Sequence, residues 1–270
     1  MLGLMALANI SPFTHLGYMT ARVVVGSDAS ALSQSAVTWA AAEADRRGAE
    51  LHVVGPCPDH DTARILIEEA ADADLIVVGS AGVGRSHPLG SVVRAVLRSS
   101  PCPVAVVPPG RERERCGRVV FGLDGSPPAM DALEWAADEA HLLRAELVVV
   151  HAWWHGRGDN GLGSAQARDF ARVDAALVME TAIDACHRRG AELVRGELIE
   201  GRAAQAILGL AEHADLVVVG SRGERASRSM LFGSVAQAVL ESSPCPVVSY
   251  TTRCVDPHSA KPNHDAARQS

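Results

Sequence analysis

Two stretches in the second half of the chain carry residue types whose spacing suits chemistry. In "GSRGERASRSMLFGS" (220–234), Gly220, Gly223 and Gly233 follow an aliphatic run and Ser234 opens the helix-like "VAQAVLES". Glycines let backbone approach a ligand closely. A helix N-terminus offers unpaired N–H groups and the positive end of its dipole. The pattern Gly-x2-Gly-x9-Gly-Ser therefore suits a loop that wraps phosphates with backbone amides. The same residues also suit a glycine-rich strand-to-helix turn capped by Ser234. The second stretch is "GLDGS" (122–126), where Asp124 stands at the end of another aliphatic run. Its carboxylate can bind ligand hydroxyls or help position a metal, or it can act as an Asx cap before Pro127 and Pro128.

Composition narrows what such a site can do. Among 25 basic residues the only lysine is Lys261, in the C-terminal tail. P-loop, kinase-type and Schiff-base mechanisms, which need a lysine inside the fold, are excluded. A bound phosphate must be neutralised by backbone amides, by arginines such as Arg222, Arg225 or Arg228, or by a metal. The net charge of -7 offers no basic surface for nucleic acid. No segment reads as a membrane span, and "MLGLMALANISPFTHLGY" lacks the cationic start of a signal peptide. Six cysteines without CxxC pairs suit reduced thiols in a cytoplasmic protein.

These residues are positioned by a repeat. "RVVVGSDASALSQSAVTWAAAEADRRGAEL" (22–51) aligns without gaps to "RVVFGLDGSPPAMDALEWAADEAHLLRAEL" (118–147). "ADLIVVGSAG" (73–82) matches "ADLVVVGSRG" (214–223), and "GSVVRAVLRSSPCPVAVV" (90–107) matches "GSVAQAVLESSPCPVVSY" (233–250). Short aliphatic runs alternate with amphipathic stretches, the pattern of βαβ units around a parallel sheet buried on both faces. In copy two the expected strands are 118–123, 146–151, 192–199, 215–219 and 246–250. The expected helices are 127–143, 166–189, 202–213 and 234–242, the second of them read from the helical spacing of Phe170, Val173, Leu177 and Thr181. The offset between copies grows from 96 residues in the first block to 141 in the second, so copy one lacks about one helix and one strand between Gly55 and Asp61. The expected layout is a disordered extension (1–19), a truncated first domain (20–108), a linker (109–117), a complete second domain (118–251) and a disordered tail (252–270). In open parallel sheets the ligand crevice lies at the carboxyl ends of the strands, where "GLDGS", "HAWW" (151–154) and the glycine loop converge.

The aspartate after strand one, the glycine loop after strand four and the closing "SSPCPV" together resemble the ATP-binding universal stress proteins, most nearly the tandem form of actinobacteria. The resemblance covers roughly residues 20 to 250. It implies an α/β fold of two Rossmann-like (adenine nucleotide alpha hydrolase-like) units with parallel sheets, the second in the strand order 3-2-1-4-5. It also implies ATP in the crevice and association through the last strands, within one chain as a pseudo-dimer or between chains as a homodimer. Carried onto this sequence, Asp124 would lie by the ribose and Ala152 would line the adenine pocket. Gly220, Gly223, Gly233 and Ser234 would hold the phosphates, with Mg2+ bridging them. The matching positions of copy one are Asp28, Gly79, Gly82, Gly90 and Ser91, with Pro56 at the place of Ala152. Its loop "GSAGVGRSHPLGS" has seven residues between Gly82 and Gly90 where copy two has nine, and Pro88 stiffens it. Weak or absent binding is therefore expected there. The expected role is regulatory, read by a protein partner, with slow ATP hydrolysis or a nucleotide-free scaffold as the rivals.

Other residues invite roles that their surroundings disfavour. Cys102 and Cys245 hold equivalent places in "SSPCPV" and read as small buried residues rather than redox sensors. Cys254, His258 and His264 match no zinc spacing. Trp39 and Trp135 are repeat-equivalent and read as core or interface packing. Trp153 and Trp154 suit either stacking in the crevice or packing, and His151 ends a strand near it. "GLDGS" is not a nucleophile elbow, because its central residue is Asp.

Overall fold

In the computed structural model the described residues are 21–56, 61–80, 89–110, 114–154, 165–221 and 233–251. In the first half, β1 (Arg22–Gly26), α1 (Ala31–Arg47), β2 (Glu50–Val54), α2 (Thr62–Glu69), β3 (Leu75–Gly79), α3 (Ser91–Ser99) and β4 (Val104–Val107) follow one another. In the second half come β5 (Arg118–Leu123), α4 (Pro127–Leu143), β6 (Glu146–Trp153), α5 (Ala165–Arg188) and β7 (Val194–Glu200). They are followed by α6 (Ala203–Ala211), β8 (Leu216–Gly220), α7 (Ser234–Ser242) and β9 (Val247–Tyr250).

The strands form a single sheet in the order β2-β1-β3-β4-β9-β8-β5-β6-β7. The second half thus has the expected five-strand order. The first half lacks counterparts of α5 and β7 among the described residues, so β2 ends the sheet. The two parallel blocks join through β4 and β9, which run antiparallel with Ala105 opposite Val248. The last strands of the two repeats therefore pair inside one chain.

Aliphatic runs without polar alternation form these strands because both faces of the sheet are covered. Val23 and Val25 enter the core beneath α1, α4 and α5, whereas Val24 enters the core beneath α2, α3, α6 and α7. Phe121 and Val120 divide between the same two cores in the second half. Gly122 has a packing reason: a Cβ there would lie 2.6 Å from Ile207 Cδ1 on α6.

The helix read from the spacing of Phe170, Val173, Leu177 and Thr181 is present as α5. Phe170, Val173 and Leu177 are 72%, 63% and 63% exposed. The buried face of α5 is Ala175, Met179, Ala182 and Cys186. Spacing identified the helix but not the side that packs, because small residues let α5 lie close to the sheet while the larger ones face outward. Smaller corrections concern bounds: β6 continues to Trp153, so Ala152 lies within the strand, paired with Ile199 of β7.

Candidate functional site

Strands β5, β6 and β8 are neighbours and parallel, so their carboxyl ends share one rim of the sheet. Gly122 pairs with Val219, which brings the chain after β5 beside the chain after β8. Asp124 is exposed on this rim. Its Oδ1 accepts hydrogen bonds from Ser126 N (3.0 Å) and Ser126 Oγ (2.7 Å), while Ser126 Oγ accepts from Ala129 N at 3.3 Å and caps α4. The aspartate is thus part of an Asx turn, and that turn holds it at the rim. Between them Gly125 adopts φ 80°, a conformation that side chains rarely take.

The β8 side lies next along the same rim. Gly220 ends β8 in register with Tyr250, and Ser221 N donates to Tyr250 O at 2.7 Å. The loop closes at its base, where Gly233 N donates to Ser221 O at 3.2 Å. Gly233 is then the N-cap of α7, has extended backbone and supplies no side-chain cap. Ser234 is therefore the first residue of α7, not its cap, which corrects the alternative reading of the loop. The amides that begin α7 lack the side-chain acceptor that Ser126 gives α4, and they sit where the glycine loop returns to the sheet. Gly223, Arg222, Arg225 and Arg228 lie outside the described residues. Ala152 is half-buried on β6. His151 beside it is fixed through Nδ1, 2.9 Å from Leu123 O. Trp153 is buried, whereas Trp154 is 62% exposed.

The first half repeats the arrangement. Asp28 Oδ1 accepts from Ser30 N at 2.9 Å, and hydrogen bonds from the Ser30 side chain and backbone hold its carboxyl below the usual range. Gly79 ends β3, Ser80 N donates to Val107 O at 2.9 Å, and Gly90 caps α3 without a side-chain bond, so that Ser91 is its first residue. Gly82 lies outside the described residues. In both halves, then, the glycine-led helix is left without a side-chain cap, whereas the helix after the aspartate is capped by serine.

No group of three His, Cys, Asp or Glu among the described residues is placed to hold a metal. Asp124 alone would leave a divalent ion to take most of its oxygen ligands from a nucleotide's phosphates and from water. Cys254, His258 and His264 lie outside the described residues. Cys102 and Cys245 are buried, each beside a serine whose Oγ donates to the cysteine's own carbonyl. Among the described residues no helix is long and apolar enough to cross a membrane.

Two doubly wound parallel blocks, each with an aspartate turn beside a glycine-led helix N-terminus, define a tandem Rossmann-like α/β protein. The sequence pattern of the universal stress protein family matches residues 19–64, 58–108 and 116–250. The chain belongs to the universal stress protein family. A universal stress protein of Mycobacterium tuberculosis is 32% identical over 191 residues, covering 68% of this chain and 63% of that protein, so the chain spans less than two thirds of that relative's length. One of Mycolicibacterium smegmatis is 28% identical over 281 residues, covering 84% of this chain and 95% of its own. A universal stress protein structure from Archaeoglobus fulgidus shares the fold, with a TM-score of 0.55 at 21% identity over 85% of this chain and 96% of that one.

Proposed function

We propose that this chain is a nucleotide-responsive regulatory protein that holds ATP with Mg2+ in the crevice of its second half. The observation that carries this reading is the N-terminus of α7. It lacks a side-chain cap, follows a glycine loop closed by the Gly233–Ser221 hydrogen bond, and lies beside the strand end that bears Asp124. Backbone amides would bind the phosphates, and Asp124 would accept hydrogen bonds from the ribose hydroxyls. Ala152, small and half-buried on β6, would leave room for the base. No group in the crevice is assigned a catalytic role. Binding would bias the protein's conformation, and a protein partner would read that state. In the first half the shorter glycine loop disfavours the same ligand.

A second reading, a scaffold without nucleotide, is favoured by one observation. Ser126, the cap of α4, already donates twice to the Asp124 carboxylate, so the aspartate has a structural task in holding that cap. Calorimetric titration of ATP–Mg into the wild type, Gly223→Ala and Asp28→Ala separates the two. One equivalent per chain, lost in Gly223→Ala and kept in Asp28→Ala, supports the nucleotide reading. No heat and no thermal stabilisation in excess ATP–Mg supports the scaffold, because a ligand that binds the native state must stabilise it.

A further inference from the structure

The two repeats meet helix to helix as well as strand to strand. Glu43 on α1 and Glu139 on α4 occupy the same repeat position, and both are buried, at 0% and 2% exposure. They share one guanidinium. Arg47 Nε donates to Glu43 Oε1 at 2.5 Å, and its Nη2 donates to Glu139 Oε2. Arg46 donates to Glu43 Oε2. The other oxygen of Glu139, Oε1, receives no hydrogen bond. The repeat supplies the acids twice and the bases once, since Leu142 and Leu143 stand where copy one has Arg46 and Arg47. Arg47 also lies 5.5 Å above the ring of Trp135, which tilts against Tyr250 at the end of β9.

Of the other charged groups near the seam, Asp131 and Arg144 are exposed at the two ends of α4. Glu134 and Asp138 bind Arg189, beyond the end of α5, and Arg115 donates to the Leu143 carbonyl. His141 is exposed, and Asp74 before β3 acts on Arg47. Two ionised carboxylates in a dry seam repel each other, and a proton on one of them turns that repulsion into a hydrogen bond. Burial, reinforced by Glu43 and opposed by Arg47, pushes Glu139 up to about 8. At Glu43 burial also pushes upward, but the charges of Arg47 and Arg46 beside it outweigh it and hold that carboxyl below its ordinary value.

We propose that the seam between the two repeats is a proton-dependent lock, closed while the Glu43–Glu139 pair holds one proton and loosened when that proton leaves. The lock joins the two helices whose first turns sit beside Asp28 and Asp124, yet it does not depend on any ligand there. The folded chain keeps a proton on Glu139 that the unfolded chain releases near the ordinary value of 4.5. Its contribution is therefore full below that value and is lost as pH rises through about 8.

The test is a set of melting curves of the full-length protein from about pH 6 to about pH 9.5, for the wild type and Glu139→Gln. Glutamine keeps the shape and donates a hydrogen bond at every pH. The wild-type Tm is expected to fall with pH relative to the variant, and α1 and α4 amides to exchange faster in the wild type above about pH 8 after correction for intrinsic rates. Parallel Tm curves would overturn the proposal. Should Glu139→Gln fail to fold, carboxyl NMR of the wild type decides. One glutamate titrating near 8 supports the lock, and all glutamates titrating in the ordinary range rejects it.

Discussion

Ala29 and Gly125 hold the same place in the two repeats and the same left-handed turn, with φ of 60° and 80°. The helices that follow also end alike, α1 in Gly48 at φ 62° and α4 in Arg144 at φ 51°. Each copy thus has glycine at one left-handed position and an L side chain at the other. A non-glycine residue in this region costs on the order of 1 kcal/mol, partly offset by the greater unfolded-state entropy of glycine. Ala29→Gly and Arg144→Gly are each expected to stabilise by about 0.5–1 kcal/mol in urea unfolding. Gly125→Ala should destabilise by at least as much, since its Cβ would also meet Val178 Cγ1 at 3.3 Å.

Removing Arg47 tests what the seam costs and contributes. Arg47→Leu copies the residue of the second repeat but leaves Glu43 and Glu139 buried without their shared cation. The expected loss is about 3–5 kcal/mol. Replacing Glu43, Arg47 and Glu139 together by leucine should recover most of that loss and remove the pH dependence assigned to Glu139. A triple variant as unstable as Arg47→Leu would show that packing, not charge, governs this contact.

The outward stripe of α5 gives a contrast between two phenylalanines. Phe121 is fully buried on β5, the middle strand of the second half, whereas Phe170 is 72% exposed. Phe121→Ala is expected to cost about 3–5 kcal/mol. Phe170→Ser should change stability by no more than about 0.5 kcal/mol. Comparable losses in the two variants would mean that α5 packs on its larger residues after all.

Thiol labelling should follow burial. Burial pushes the Cys186 thiol up to about 11, and Cys102 and Cys245 are closed off at the edges of β4 and β9. Cys116 is exposed. In native protein near pH 8, mass spectrometry is expected to find alkylated Cys116 within minutes, and the other three only after unfolding. Rapid native labelling of Cys102 and Cys245 would revive a redox role for that pair.

Sequence and structure part company at identifiable residues. The aliphatic runs, the prolines at 127–128 and the repeat spacing determined the elements of the second half closely, and helices 127–143 and 234–242 have the bounds expected. These signals are local, because periodicity and capping act within a few residues. The repeat itself showed that copy one is short by one helix and one strand, and it placed Gly79 and Gly220 at strand ends with Asp28 and Asp124 just beyond theirs. The hydrogen bonds of Asp124 to Ser126 are equally local, but the sequence alternative of Asp124 as the helix cap needs correcting, because Ser126 caps α4 and Asp124 forms the Asx turn before it.

Relations between distant residues needed the tertiary structure. Which face of α5 packs depended on how closely small residues let it approach the sheet. That β4 and β9 join two parallel blocks into one sheet required the chain to bring residues 104–106 against 247–249. Above all, no local signal pairs Glu43 with Glu139, which stand 96 positions apart. The near-twofold meeting of the repeats buries both against a single arginine, because residues close to a twofold axis meet their own repeat-mates, and like charges meet there unless one side changes.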